Sequence, residues 1–248
     1  MADLFSTPLL VTAVLGVVGL AIPVIDAIKK EKGSGNRLYS AIAFGALVLA
    51  IGIVIFRVLS GEVLPGVAFS KGVITDDLFG SFFATAFLIV SIMVTASSWN
   101  YMKGRTNPAA YYSLILLSSI GMILIAYSTD LVMLLISWEL MSLPTYALAA
   151  FSKRDPISNE AAIKYFMFGA LSTAILVFAI GLVYGITGST NIGTAILALA
   201  HLQKDLIPVG LLQLHCSLLV LDLKWGLYHF TCGFQTPMKD PPPPSVLS

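Results

Sequence analysis

Residues 131–151 read Leu-Val-Met-Leu-Leu-Ile-Ser-Trp-Glu-Leu-Met-Ser-Leu-Pro-Thr-Tyr-Ala-Leu-Ala-Ala-Phe, with a single charge, Glu139. Wound as an α-helix at 1.5 Å per residue, the run is about 30 Å long, the thickness of a bilayer's hydrocarbon core. Five further runs share its character: Leu9–Ala27, Leu38–Leu59, Leu78–Ser97, Tyr111–Tyr127 and Ala161–Ile186. All are roughly 17–26 residues long, which suits membrane helices rather than the shorter strands of a barrel. A seventh, Leu206–Tyr228, is apolar but contains Asp222 and Lys224, and Ile192–Leu202 reads as an interfacial helix or the start of that segment. Gly16, Gly19, Pro23, Pro144 and Gly181 fall inside these runs, where membrane helices tolerate them and use the glycines for close packing.

Composition agrees. Of 248 residues, 57% are hydrophobic and 11% charged, against about 25% charged in a soluble domain. So few charges cannot cover a water-soluble globule of this size, which excludes a soluble enzyme and a disordered chain. A net charge of +1 leaves no basic face for nucleic acid. The expected fold is all-α, a polytopic transmembrane bundle of six or seven membrane helices.

The two cysteines, Cys216 and Cys232, and the three histidines, His201, His215 and His229, all lie beyond residue 200. Thiolate-held iron–sulfur clusters and His-ligated haem are thereby excluded from residues 1–200. Asp3 precedes the first apolar run and no basic segment does, so that run is expected to be retained rather than cleaved as a signal peptide.

Loop charge predicts orientation. Lys29, Lys30, Lys32 and Arg37 follow segment one, Lys103 and Arg105 follow segment three, and Lys153 and Arg154 follow segment five. The intervening loops hold Lys71 as their one basic residue. Loops one, three and five are therefore expected in the cytoplasm and the N-terminus outside, in the inner (cytoplasmic) membrane.

Few ionisable groups enter the apolar runs. Asp26 reads as an interfacial residue beside the first basic loop, and Arg57 as a side chain snorkelling from the outer end of segment two. Glu139 is different, because it lies near the middle of its segment. A carboxylate at the bilayer centre costs at least ~2.5 kcal/mol, so it faces a polar interior or keeps its proton. Pro144, five residues on, lacks an N–H and leaves the Leu140 carbonyl without its helical donor. Ser137, Ser142 and Thr145 place hydroxyls nearby. A titratable group beside an opened helix backbone suits a proton path, and a structural carboxylate paired to a neighbouring basic group is the alternative. Glu160 and Lys164 stand at i, i+4 on one face at the start of segment six. They read either as a helix-start pair with a snorkelling lysine, or as charges continuing inward toward Glu139.

These residues carry a resemblance. Trp138-Glu139-Leu140-Met141-Ser142-Leu143-Pro144-Thr145-Tyr146, then Ser158-Asn159-Glu160-Ala161-Ala162-Ile163-Lys164-Tyr165-Phe166, Gly169-Ala170 and Tyr184-Gly185-Ile186-Thr187-Gly188 resemble the antiporter-like membrane subunits of complex I. The likeness is greatest to subunit N of NADH-quinone oxidoreductase and its archaeal deazaflavin-dependent relatives. It is specific over residues 110–190 and compatible over 1–110. It implies residues 1–110 as N-terminal helices one to three and 111–200 as the start of a proton-translocating module. That module is the first half of an inverted-repeat fold with broken helices at the membrane midplane. By resemblance, Glu139 is a proton-pathway carboxylate and Glu160, Lys164 and Lys224 belong to the same path. Flavin and iron–sulfur clusters would sit in partner subunits, with no cofactor in this chain. The implied partners are the other membrane subunits of a complex I-like assembly, the bilayer and protons.

The family pattern then lapses. Where it continues Gly-Leu-Gly-Phe-Lys-Met, this chain reads Leu221-Asp222-Leu223-Lys224-Trp225-Gly226, and the tail 201–248 ends without a second repeat. Read from the third base of each codon, Leu221 to Trp225 permits Gly-Phe-Lys-Met. The same shift over Trp225 to Asp240 permits the family's next motif in order. Residues from roughly Pro208–Leu214 onward are therefore expected to be out of frame, with Lys224 in a context not selected for helix packing. The leading functional reading is a proton-translocating, non-redox subunit of a respiratory NADH- or deazaflavin:quinone oxidoreductase. The alternatives are a subunit of a multisubunit sodium/proton antiporter, an inert packing subunit, or a non-functional truncated product.

Overall fold

The computed structural model describes residues 6–29, 35–61, 63, 72–103, 107–152, 156–200, 210 and 218. The chain forms α1 (Thr7–Lys29), α2 (Gly35–Leu59), α3 (Leu78–Tyr101), α4 (Pro108–Tyr127), α5 (Leu131–Ala149), α6 (Pro156–Thr187) and α7 (Ile192–Ala200). Among the described residues, six helices are long and apolar enough to cross a membrane, and no sheet is formed. The all-α, multi-pass reading holds. Most helices run a few residues beyond their apolar segments, because polar end turns keep the same backbone pairing; α5 stops two residues short, at Ala149. At nine residues α7 is too short to span. Segment Leu206–Tyr228, with Asp222 and Lys224, and the tail expected to be out of frame lie outside the described residues, save positions 210 and 218.

Capping fixes where the helices begin. Asp77, in extended conformation, accepts from the Gly80 N–H at 2.8 Å and starts α3. Asp130 accepts from the Val132 and Met133 N–H groups at 2.9 and 3.3 Å and starts α5. Pro108 opens α4, where its missing N–H is no loss.

Helix α4 is the centre of the bundle and packs on α1, α2, α3 and α5. The fully buried side chains cluster along it: Tyr112, Leu116, Ile123 and Tyr127 of α4 meet Leu15, Ile22, Leu47 and Leu88 of its neighbours. In a bilayer the lipid is as apolar as this core, so shape and small residues decide which faces meet. Gly121 is one such point: its α-carbon lies against the Met141 backbone of α5, and Ser118 donates to the Met141 carbonyl at 3.3 Å. The opposite faces present Val17, Leu20, Phe56, Phe82 and Met167 outward, as lipid contact requires.

Polar stitching closes both ends. At one end the Thr7 N–H donates to Asp76 at 2.7 Å, and the Thr75 and Thr129 N–H groups to the Tyr127 and Val73 carbonyls at 3.0 and 3.1 Å. There too the Thr190 hydroxyl donates to Asp130 at 2.6 Å. Arg57 belongs to this end. Rather than only snorkelling, it donates to the Thr7 hydroxyl at 3.2 Å and lies 3.9 Å from Asp76. At the other end the Tyr39 hydroxyl donates to Asp26 at 2.8 Å, Asn36 to the Trp99 carbonyl at 3.2 Å, and Ser158 to the Ala149 carbonyl at 2.7 Å. The loops thus alternate between two ends in the order that loop charge implied.

Candidate proton site on helices α5 and α6

Glu139 lies eight residues from the start of α5 and ten from its end, and is half-buried. Its partner comes from α6: the Thr173 hydroxyl donates to Glu139 Oε1 at 2.6 Å. Thr173 is also 3.1 Å from the Gly169 carbonyl, one turn earlier in its own helix.

The hydroxyls that sequence placed near Glu139 serve the helix backbone instead. Ser137 donates to the Met133 carbonyl, Ser142 to that of Trp138 and Thr145 to that of Ser142, each at 2.7 Å. The proline does not break the helix, since α5 continues through Pro144 to Ala149. Hydroxyl donors cover carbonyls around it, including the one Ser118 supplies from α4. Toward the Ser158 end, Ser142 and Tyr146 continue the Glu139 face at i+3 and i+7. The Tyr146 ring meets Tyr165 edge-on at 4.8 Å and Phe166 at 5.8 Å. Gly169 makes this approach possible, because a Cβ there would occupy the space of the Tyr146 hydroxyl.

Lys164 and Glu160 form the i, i+4 pair expected, at 2.5 Å, with side chains 49% and 66% exposed. Lys164 is nine residues before Thr173, about 13.5 Å along the helix axis. The structure therefore pairs Lys164 with Glu160 and does not bring it to Glu139. Lys224 lies outside the described residues. Thr173 was missed by sequence reading, since a threonine in an apolar run has no mark of its own. Mirror counting about residue 156, the centre of the link between the two apolar runs, places Thr173 opposite Glu139 and was the signal that could have found it.

Residues 128–232 match the model of the NADH:quinone oxidoreductase/Mrp antiporter transmembrane family. The antiporter-like region thus contains Glu139, Thr173, Glu160 and Lys164. Over 202 residues the chain is 35% identical to NADH-quinone oxidoreductase subunit N of Desulfitobacterium hafniense, covering 79% of this chain and 38% of that one. Over 116 residues it is 39% identical to F(420)H(2) dehydrogenase subunit N of Methanosarcina mazei, covering 47% and 24%. Respiratory complex I from Thermus thermophilus with bound aureothin contains a chain with TM-score 0.61 and 26% identity, covering 77% of this chain and 41% of that one. The archaeal membrane-bound sulfane sulfur reductase shares the fold at TM-score 0.61 and 20% identity, covering 90% and 43%. The chain spans about two fifths of the length of the subunit N relatives it matches most extensively.

Proposed function

We propose that this chain is a membrane subunit of a proton-pumping respiratory dehydrogenase, with Glu139 as the proton-holding group of its antiporter-like region. The observation that carries this is the lone carboxylate at mid-helix, met by a hydroxyl from the next helix and, among the described residues, by no basic side chain. A purely structural carboxylate at that depth would call for a cation beside it. The family description covers both the oxidoreductase and the sodium/proton antiporter types. The named relatives, NADH-quinone oxidoreductase and F(420)H(2) dehydrogenase subunits N, favour the first.

In this reading the chain holds no redox group. Flavin and iron–sulfur clusters belong to partner subunits, and this chain turns their conformational or electrostatic signal into proton movement. The basic-rich loops face the cytoplasm of the inner membrane and the N-terminus lies outside. With Cys216 and Cys232 replaced, Gly33→Cys in sealed cells should resist an impermeant thiol reagent, and labelling from outside would reverse the topology. Glu139→Gln, in the assembled complex, should preserve assembly and electron transfer but pump poorly. Glu139→Asp should retain more, since a titratable carboxylate survives. A wild-type proton-to-electron ratio in the Gln variant would remove Glu139 from the path.

A further inference from the structure

Buried hydroxyls in these helices commonly donate their hydrogen to the carbonyl one turn back, as Ser91, Thr95, Ser98 and Ser172 do at 2.7–2.9 Å. Thr173 has that carbonyl within reach and a carboxylate as well, with Glu139 Oε1 at 2.6 Å and Gly169 O at 3.1 Å. A hydroxyl carries one hydrogen and two acceptor lone pairs. It cannot donate to both oxygens at once, but it can serve either protonation state of Glu139. When Glu139 is ionised, the threonine O–H points at the carboxylate. When Glu139 is protonated, the carboxylic O–H can donate to Thr173 Oγ1, and the threonine hydrogen turns to the Gly169 carbonyl.

We propose that Thr173 is the positioning residue for the Glu139 proton, a hydroxyl rotor that satisfies the carboxylate and the carboxylic acid in turn without movement of either helix. This deepens the reading of Glu139 as the proton-holding group and rests on it. An unmet polar group at this depth is costly, so a partner that fits one state only would lock the carboxyl in that state. A partner that fits both leaves the choice to the surrounding charge. The geometry needs two further features. Gly169 lets Tyr146 pack closely against α6. The Gly169 carbonyl is the second acceptor within the rotor's reach. Among the described residues, the ionisable groups on the elements around Glu139 are Tyr146 on its own helix, Tyr111, Tyr112 and Tyr127 on α4, and Glu160, Lys164, Tyr165 and Tyr184 on α6. Helix α7 has none.

The test reads the carboxyl group itself. The full chain is labelled with carboxyl-13C glutamate, reconstituted in phosphatidylcholine vesicles and titrated by infrared spectroscopy. The chain contains four glutamates, Glu31, Glu62, Glu139 and Glu160, and the bands absent from Glu139→Gln belong to Glu139. In Thr173→Val both the protonated carbonyl band and the ionised carboxylate band of Glu139 should shift to the positions of weaker hydrogen bonding. In Thr173→Ser both should stay near wild type. Thr173→Ala serves as the second deletion of the hydroxyl, should the valine variant fail to fold. Bands unmoved by loss of the hydroxyl, or movement of the ionised band alone, would overturn the rotor. These spectra require no pumping, so failure here is separate from failure of Glu139→Gln to impair pumping.

Discussion

Gly121→Ala places one methyl group where the structure has no room. The added Cβ would sit 2.7 Å from Met141 Cα and 2.8 Å from Met141 Cβ, where ordinary contact needs 3.4–4 Å. The obstruction is helix backbone on both sides, so no side-chain rotation relieves it, and α4 and α5 must separate by about 1 Å. Overpacking of this kind costs about 1–3 kcal/mol, while glycine-to-alanine in a helix interior returns up to about 1 kcal/mol. With the full return, a net loss of up to about 2 kcal/mol remains, whereas Gly52→Ala should gain. Met141 is two residues from Glu139, so the displacement also reaches the site, where a misplacement of about 1 Å can lower a rate by up to ~10²-fold. Reversible unfolding in mixed micelles gives the stability term, and proton-to-electron ratio in the assembled complex gives the functional one. Gly52→Ala on α2 is the control, because nothing lies within 4 Å of its added methyl. Equal stability and pumping in the two variants would refute the claim that backbone contact at Gly121 sets the α4–α5 spacing.

Asp130→Ala should cost about 1–2 kcal/mol in the same assay, because it removes the α5 cap and leaves the Thr190 hydroxyl without its carboxylate. Asp130→Asn should recover most of the loss. Resequencing the gene across codons 205–225 should reveal a one-base slip, and an unaltered frame, with an intact mass near 26.5 kDa from native membranes, would refute it.

The spans were legible because bilayer thickness fixes a length that composition alone can satisfy, and all six apolar segments became helices. Glu139 was legible because a charge at mid-span is costly anywhere. The Glu160–Lys164 pair was legible because i, i+4 geometry is local. Thr173 was not, since its role depends on how far α6 slides against α5. Symmetric counting about residue 156 pairs position 139 with position 173, but only the packed helices show that they meet in that register. Arg57 was half legible: its depth was plain, but its fixing by Thr7 and Asp76 requires three distant chain segments to converge.

Helices α5 and α6 are tied to each other at both ends, by Asp130 and Thr190 at one and by Ser158 and Ala149 at the other. A hairpin fastened twice resists sliding, so in the proposed function Glu139 would hold its proton without travelling. Its carboxyl group stays about 12 Å of helix from one end of α5 and about 15 Å from the other. At about 2.8 Å per hydrogen-bonded step, a proton needs some four or five handovers to reach either face. Under the proposed function, transport through this region would be a matter of filling and emptying two short chains of donors around a stationary post.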